Sequence, residues 1–244
     1  MANPVLELRS VTKRFGENPA VKDLSLIVHP GETYGLIGPN GSGKTTTIKM
    51  IAGLYRPTSG RILVQGYDLE ESPVRVKSYL GYIPDDPAAY DRLTGREFLE
   101  FVGEVFGMDR KLRDGRIADL LEGYGISDLA EGLFGEFSRG TKQKIAICAA
   151  LLHDPSLLLI DEPVVGLDPE SIRITKQLLK EFTDKGGAIL MSTHTLPVAE
   201  ELCQRFGLLK KGKVVAEGSK RNLRETAGLQ RGSLEELFLA LLAE

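Results

Sequence analysis

The segment GPNGSGKT at residues 38–45 constrains this chain more than any other, because it fits the pattern G-x-x-x-x-G-K-[ST]. An apolar stretch from Thr33 to Ile37 precedes it, and a stretch of helical character follows as far as Leu54. Glycines let the backbone curl around an anion, and the following helix presents its positive end to the same charge. A chance glycine-rich turn would lack this flanking strand and helix. We therefore expect a nucleoside triphosphate site.

The side chains of this phosphate loop have separate expected roles. Lys44 can reach the β- and γ-phosphates, and the Thr45 hydroxyl can ligate Mg²⁺. The expected nucleotide contacts in the loop are Asn40, Gly41, Ser42, Gly43, Lys44, Thr45 and Thr46.

A pair of carboxylates, Asp161 and Glu162, follows the apolar run Leu157 to Ile160. A buried central strand would deliver both at its C-terminal edge, which is the usual ligand side of an open α/β sheet. Asp161 is then placed to hold Mg²⁺ beside Thr45, and Glu162 to polarise the attacking water. A helix or loop with an acidic pair is the alternative for so short a string, but the phosphate loop upstream disfavours it.

Composition and charge exclude several other classes of protein. The 244 residues carry a formal charge of −3, which gives no indication of nucleic-acid binding. The longest apolar run, Ile145 to Leu152, is far shorter than the roughly 20 residues of a membrane span, and the N-terminus lacks the pattern of a signal peptide. Cys148 and Cys203 lack metal-ligand spacing, so we expect buried thiols in a reducing cytosol.

A second candidate phosphate-binding element lies upstream of the acidic pair. The segment FSRGTKQK at residues 137–144 runs into the apolar helix Ile145 to Leu152. Ser138 is a good N-cap, and Gly140 allows a close approach of backbone to an anion at the helix N-terminus. One nucleotide does not require two such elements, whereas two chains facing each other would use both.

With these motifs in this order, the chain resembles the ATP-binding subunit of an ABC (ATP-binding cassette) transporter over essentially its whole length. The signature segment, residues 137–141, is similar to that family's LSGGQ sequence, and residues 166–168 are similar to its D-loop. The tripeptide Ser192-Thr193-His194 is similar to the family's switch histidine after a strand, and Phe15 falls where the family places an adenine-stacking aromatic.

The resemblance implies an α/β fold with a P-loop NTPase core of ABC ATPase type, an N-terminal antiparallel β subdomain and an inserted α-helical subdomain. It also implies a head-to-tail dimer, of two copies or of this chain and a related ATPase, with ATP and Mg²⁺ in the interface. Ser138 and Gly140 would contact the ATP bound by the partner's phosphate loop. The further roles that it implies are γ-phosphate contact by His194, coupling across the dimer by Asp168, catalysis by Glu162 with Lys44, and nucleotide contact by Phe15 and Val21.

The expected organisation is a single ABC ATPase domain over residues 1–244. Its core would comprise residues of about 1–85 and 153–217, its helical subdomain about 86–152, and a helical tail about 218–244. The helical insertion would meet integral membrane permease subunits, which would hold the chain on the cytoplasmic face of the membrane. The tail carries an apolar stripe typical of self-packing, formed by Leu234, Leu237, Phe238, Leu241 and Leu242.

Two motifs depart from the family pattern. The family's Q-loop glutamine, which contacts Mg²⁺ or water, is matched here by Asp85, which can reach the metal through water but cannot donate a hydrogen bond while ionised. The signature segment has Arg139 for glycine and Thr141 for glutamine, and Arg139 either adds charge there or faces solvent. Similar departures are typical of the branch whose ATPase is a separate chain serving export-type (ABC-2-like) permeases.

The function that follows is ATP hydrolysis that powers transport through a permease on another chain. A soluble ABC-type ATPase acting on ribosomes or DNA is disfavoured, because the chain has one cassette, no zinc-type cysteines and a mildly acidic charge. A regulatory module that binds ATP without turnover stays open through Asp85 and the altered signature. A GTPase is disfavoured by the lack of an Asn-Lys-x-Asp motif, and a small-molecule kinase would not explain the signature or the D-loop.

Overall fold

The computed structural model describes residues 3–87, 90–162, 164, 166–229 and 231–243, without the side chains of 242 and 243. The strands are β1 (Leu6–Phe15), β2 (Asn18–Val28), β3 (Thr33–Ile37), β4 (Ser59–Val64), β5 (Tyr67–Asp68), β6 (Leu80–Ile83), β7 (Leu157–Asp161), β8 (Ala188–Thr193), β9 (Arg205–Lys210) and β10 (Lys213–Gly218). The helices are α1 (Lys44–Ile51), α2 (Pro73–Ser78), α3 (Gly95–Val105), α4 (Arg110–Gly123), α5 (Arg139–Leu152), α6 (Pro169–Asp184), α7 (Leu196–Leu202), α8 (Lys220–Thr226) and α9 (Leu234–Ala243), with short 3₁₀ turns at Leu129–Glu131 and Phe134–Glu136.

A small antiparallel sheet is formed near the N-terminus, with strand order β2-β1-β4-β5. In β2 the buried residues Leu24, Leu26 and Val28 alternate with exposed ones, so one face of this sheet packs on the core. The hairpin of β1 and β2 is longer than the apolar pattern alone indicates. The pairing continues to Phe15 and Asn18 through a polar stretch, where alternation gives little guidance.

The larger sheet carries the phosphate loop and the acidic pair. Its strand order is β10-β9-β3-β8-β7-β6, and neighbouring strands from β9 to β6 run parallel while β10 is an antiparallel edge. In β7, Leu157 and Leu159 belong to the core under the small sheet, whereas Leu158 and Ile160 belong to the core under the helices. Because both faces are covered, this strand is a continuous apolar run, and it delivers its C-terminal carboxylate to the sheet edge.

The helices between β6 and β7 begin at side-chain caps. Thr94 accepts from the N–H of Glu97 at 3.1 Å, and the Glu97 carboxylate accepts from the N–H of Thr94 at 2.8 Å, which forms a capping box before α3. Asp109 caps α4, so this helix begins at Arg110, before the apolar pattern does. Ser138 caps α5 by accepting from the N–H of Thr141 at 3.2 Å. The cap at Ser138 fixes where the signature segment turns into its helix.

The tail packs back onto the molecule through α9. Leu234, Leu237 and Leu241 are buried and Phe238 packs against them, as the stripe predicts, whereas the side chain of Leu242 lies outside the described residues. The Glu200 carboxylate of α7 accepts from the N–H of Leu234 at 3.0 Å and from Lys220. The tail is therefore tied to α7, which directly follows the switch histidine.

Both cysteines are buried, as expected, and burial raises the pKa of each thiol to about 12. Within the described ranges, we find no helix with both the length and the apolar content needed to span a bilayer.

Candidate functional site

The loop that joins β3 to α1 brings several backbone segments unusually close together. Gly41 and Gly43 have φ values of 75° and 112°, which residues with side chains rarely adopt. A Cβ atom on Gly38 would lie 2.3 Å from the carbonyl oxygen of Leu209, and one on Gly43 would lie 2.5 Å from that of Ala20. The loop therefore requires glycine for space as well as for backbone conformation.

Lys44 begins α1 and lies over this loop. Its Nζ donates to the carbonyl oxygens of Gly38 at 2.8 Å and Pro39 at 3.2 Å, and the residue is only 7% exposed. Burial lowers the pKa of Lys44, and the charges of Glu162 and Asp161 oppose that shift. A buried cation held by neutral carbonyls gains from an anion beside the loop, so this geometry fits a phosphate group.

The two predicted metal ligands of the core meet where α1 begins and β7 ends. Thr45 Oγ1 donates to Asp161 Oδ1 at 3.3 Å, and the Ser192 hydroxyl of β8 donates to the same oxygen. Asp161 is 3% exposed. A hydroxyl and a carboxylate fit Mg²⁺, because this ion takes few protein oxygens and fills its shell with phosphate oxygens and water.

Glu162 directly follows β7 and is held by the end of β8. One carboxylate oxygen accepts from Thr193 Oγ1 at 2.8 Å. The other accepts from the N–H of His194 at 3.0 Å and lies 2.6 Å from His194 Nδ1. Glu162 has a φ of 59°, which is strained for a residue with a Cβ by about 1–2 kcal/mol. Strain at a side chain that three contacts orient is typical of a functional position.

These groups line one cleft of about 600 Å³. The lining residues are Phe15, Ala20, Asn40, Gly41, Gly43, Lys44, Thr45, Thr46, Asp85, Asp161, Glu162 and His194. Phe15 is 48% exposed and packs edge-on against Tyr55 with ring centroids 5.5 Å apart, so an aromatic surface is available at the cleft rim. The structure thus brings together the expected base platform, phosphate loop, metal ligands and acidic pair.

Two of the expected nucleotide contacts do not line the cleft. Val21 is fully buried and its neighbour Ala20 lines the cleft, so the nucleotide contact expected of Val21 stays a prediction. Ser42 is also buried and absent from the cleft lining.

Sequence reasoning missed the side chains that orient the two carboxylates. Ser192 and Thr193 hold Asp161 and Glu162, but only His194 of this tripeptide was expected to have a role. The sequence signal that could have indicated this role is that two apolar strands, β7 and β8, both end in polar residues. In the structure these strands pair in parallel and Asp161 lies directly beside Ser192.

The signature segment packs against the D-loop of its own chain. A Cβ on Gly140 would lie 2.6 Å from the carbonyl oxygen of Gly166, so only glycine allows this approach. Asp168 caps α6 by accepting from the N–H and hydroxyl of Ser171 at 2.9 and 2.7 Å, and Lys144 of α5 lies 3.3 Å from it. The hydrogen bonds from Ser171, with the charge of Lys144, lower the pKa of Asp168 below its usual range.

Neither the signature segment nor the D-loop lines the nucleotide cleft of its own chain. Ser138, Gly140 and Asp168 are not among its lining residues. The hydroxyl of Ser138 lies 2.9 Å from that of Thr141, so threonine in place of the family's glutamine keeps a local polar partner. This separation is the one that a site shared between two chains requires.

Comparison with known families identifies this architecture. The sequence model of the ABC transporter family matches residues 21–165, more than half of the chain. The chain belongs to this family. Two ABC transporter ATP-binding proteins of Bacillus subtilis (strain 168) are each 37% identical to it. EcsA, an ABC-type transporter ATP-binding protein, matches over 98% of this chain and 97% of its own, and LnrL, a linearmycin resistance ATP-binding protein, over 98% and 78%.

Solved structures support the same conclusion. An ATP-binding subunit of an ABC transporter has a TM-score of 0.94 and 36% identity, with 98% of this chain and 99% of that chain covered. A dimeric ATP-binding cassette in a post-hydrolysis state, bound to ADP and Pi, has a TM-score of 0.80 and 27% identity, covering 88% and 98%. The expected α/β fold of ABC ATPase type is therefore confirmed. As an ABC transporter ATP-binding protein, the chain is an ATPase that uses ATP with Mg²⁺.

Proposed function

We propose that this ABC ATPase powers an export-type transporter, whose permease chains hold it on the cytoplasmic face of the membrane. LnrL is named for resistance to linearmycin, and a Nod factor export ATP-binding protein I of Burkholderia lata is 36% identical over 91% of this chain and 73% of its own. The departures at Asp85 and Arg139 point to the same branch. We found no support for the alternative of a regulatory or soluble ABC-type ATPase outside transport.

The placement of Glu162 carries the catalytic part of the proposal. Thr193 and His194 hold its carboxylate at the cleft, beyond the metal ligand Asp161. From this position the carboxylate orients the attacking water and accepts its proton, which are the tasks that phosphoryl transfer to water leaves to the protein. His194, whose side chain is 59% exposed, stands ready to contact the γ-phosphate.

The remaining residues bind and position the nucleotide. Lys44 neutralises the β- and γ-phosphates. Thr45 and Asp161 would hold Mg²⁺, which would supply further positive charge to the phosphates. Asp85 is the third proposed metal contact, through water. Phe15 supports the base. Ser138 and Gly140 close the partner's site, and Asp168 links the two sites at the dimer interface.

We also propose that the permease docks in an apolar groove of about 290 Å³ between the end of α1, β6, α3 and α5. Leu54, Phe98, Val102 and Phe106 line it, and the exposed Leu54 leaves apolar surface open at its edge. The groove belongs to the junction between the proposed core, residues of about 1–85 and 153–217, and the proposed helical subdomain, about 86–152. The tail, about 218–244, completes the single domain.

Hydrolysis by Glu162→Gln tests the catalytic proposal. The amide still fills the site but cannot take a proton from water, so we expect a turnover loss of about 10²–10⁴-fold, unchanged ATP binding and an accumulated ATP-bound dimer. Mg²⁺-dependent turnover is measured as protein concentration rises, with sedimentation for the dimer and Glu122→Gln, an exposed glutamate of α4, as the matched control. Unchanged turnover in Glu162→Gln would remove Glu162 as the catalytic carboxylate.

Docking is tested separately with Leu54→Glu. We expect the isolated chain to keep its ATP hydrolysis but to lose co-purification with its permease, because a charge then replaces apolar contact area. Leu239→Glu, at an equally exposed leucine of α9 outside the groove, is the control. Loss of permease binding in both variants, or in neither, would contradict the groove as the docking site.

A further inference from the structure

The two departures from the family pattern contact each other. Arg139 Nη2 donates to both the backbone carbonyl and the carboxylate Oδ1 of Asp85, each at 3.2 Å. The two side chains are 53% and 52% exposed. Arginine therefore occupies the glycine position of the signature segment in the same chain that has aspartate at the Q-loop glutamine position. The positive charge of Arg139 therefore balances the negative charge of Asp85.

The charge on Asp85 matters because of where it lies. Asp85 lines the nucleotide cleft together with Asp161 and Glu162. Three carboxylates thus face a site built for a polyanion. Among the cleft-lining residues of the described part of the chain, Lys44 is the one lysine or arginine. When no metal ion is bound, an uncompensated third carboxylate repels the phosphates. The Q-loop glutamine of the family pattern carries no charge and creates no such need.

The stem of Arg139 is fixed as well as its head group. A Cβ atom on Gly166 would lie 3.3 Å from Arg139 Cγ and 3.4 Å from Cδ, so the aliphatic stem passes directly over the D-loop glycine. Arg139 thus touches three segments: the signature turn from which it projects, the D-loop, and the stretch after β6 that contains Asp85. The contact of its aliphatic stem with Gly166 directs the guanidinium of Arg139 towards Asp85.

We propose that Arg139 and Asp85 function as a compensated pair, in which Arg139 neutralises Asp85 and holds it at the edge of the nucleotide cleft. Arg139 is a positioning residue, because it acts on the bound nucleotide only through Asp85. The proposal deepens the assignment of this cleft to ATP and rests on that assignment. Loss of Arg139 leaves a free negative charge at the cleft, whereas loss of both residues restores the uncharged arrangement.

A double-mutant cycle on ATP affinity tests the pair. The variants are Arg139→Gly, Asp85→Gln and the double change, and the dissociation constant of ATP is measured by calorimetry without Mg²⁺, so that turnover does not enter. Because exposed pairs are weak, we expect Arg139→Gly to weaken ATP binding by roughly 2- to 5-fold. In the Asp85→Gln background the same change should leave affinity within a factor of about 1.5.

Salt dependence separates this role from a purely structural one. The deficit of Arg139→Gly should be largest near 0.01 M salt, where the screening length is about 30 Å, and should shrink at about 0.15 M, where it is about 8 Å. Arg139→Lys keeps the charge and should recover part of the affinity. Arg139→Gln, which is neutral and of similar length, repeats the test if glycine disturbs the start of α5.

Lys180→Gln is the matched control, since Lys180 is a similarly exposed cation paired with Asp184 on α6. It should leave ATP affinity unchanged. Equal weakening by the Arg139 change in both backgrounds, or a deficit that salt does not alter, would overturn the pair. If the pair fails while Glu162→Gln still abolishes turnover, the proposed function stands, so the two failures are distinguishable.

Discussion

Gly140→Ala tests how closely the signature segment must lie against the D-loop. The added Cβ would lie 2.6 Å from the carbonyl oxygen of Gly166. Carbon–oxygen contacts settle at about 3.3–3.6 Å, so the two backbone segments must separate by roughly 0.7–1.0 Å. Neither segment lines the chain's own nucleotide cleft. The displacement therefore acts on the surface that we propose to face the second subunit.

Two magnitudes follow from this displacement. Overpacking of this kind costs about 1–3 kcal/mol of folding free energy, which lowers the melting temperature of a chain this size by roughly 2–4 °C per kcal/mol. A misplacement of about 1 Å in a catalytic arrangement reduces the rate by about 10²-fold. We therefore expect a folded variant with normal ATP affinity, little ATP-driven dimer and strongly reduced turnover.

Calorimetry measures ATP affinity, and sedimentation in the Glu162→Gln background measures the dimer. Gly115→Ala is the matched control, because Gly115 is exposed in α4 and its added Cβ would meet nothing within 4 Å. That control should keep turnover and gain about 0.5–1 kcal/mol of stability. Normal turnover in Gly140→Ala would refute the reasoning, and so would a loss of ATP affinity in the monomer.

Four further predictions concern binding and stability. Lys44→Ala should weaken ATP binding by about 10- to 100-fold, which calorimetry can check, because it removes the buried cation of the phosphate loop. Because the pKa of Cys148 and Cys203 is raised to about 12, both thiols should resist a disulfide reagent at about pH 8 until the chain unfolds. The contribution of these neutral thiols to folding stability should be lost as pH rises from 9 towards 12. Burial lowers the pKa of His153 below 6.5, so the contribution of this residue to folding stability is present above that value and is lost as pH falls. His153→Gln should therefore reduce the drop in melting temperature between about pH 7.5 and about pH 5.5. Leu237→Ala should cost about 2–5 kcal/mol in urea unfolding, and a smaller loss would mean that α9 contributes little to the core.

The elements with strong local patterns were predictable from the sequence. The phosphate loop follows from glycine spacing, and β7 ends in its carboxylate as expected. The start of α4 is set by the cap at Asp109, whereas its apolar pattern begins only at Leu112. Local pattern thus locates elements better than it locates their ends.

The contacts between distant segments were not predictable. Arg139 and Asp85 are separated by 54 positions, and neither alone indicates a partner. The burial of Val21 depends on how β2 is placed under the phosphate loop, which alternation in one strand does not settle. The hydroxyls that hold the acidic pair become visible only when β7 and β8 are set in register. Sequence motifs named the chemistry of the site, and the tertiary register supplied its supports.

One end of α5 lies at the signature segment and the other at the proposed docking groove. The 14 residues of α5 span about 21 Å and are flanked by Ser138 at the signature and by His153. The ring of His153 stacks on Phe106 of the proposed docking groove, with ring centroids 3.6 Å apart, and its Nε2 lies 2.9 Å from the carbonyl oxygen of Leu80. A rod of this length converts a tilt of about 3° at the groove into about 1 Å at the signature. A permease that pushes on the groove end of α5 would thus move the signature end and change hydrolysis without contacting the nucleotide. Spin labels on the two α5 helices of the dimer test this, because an unchanged distance between them on permease binding would contradict it.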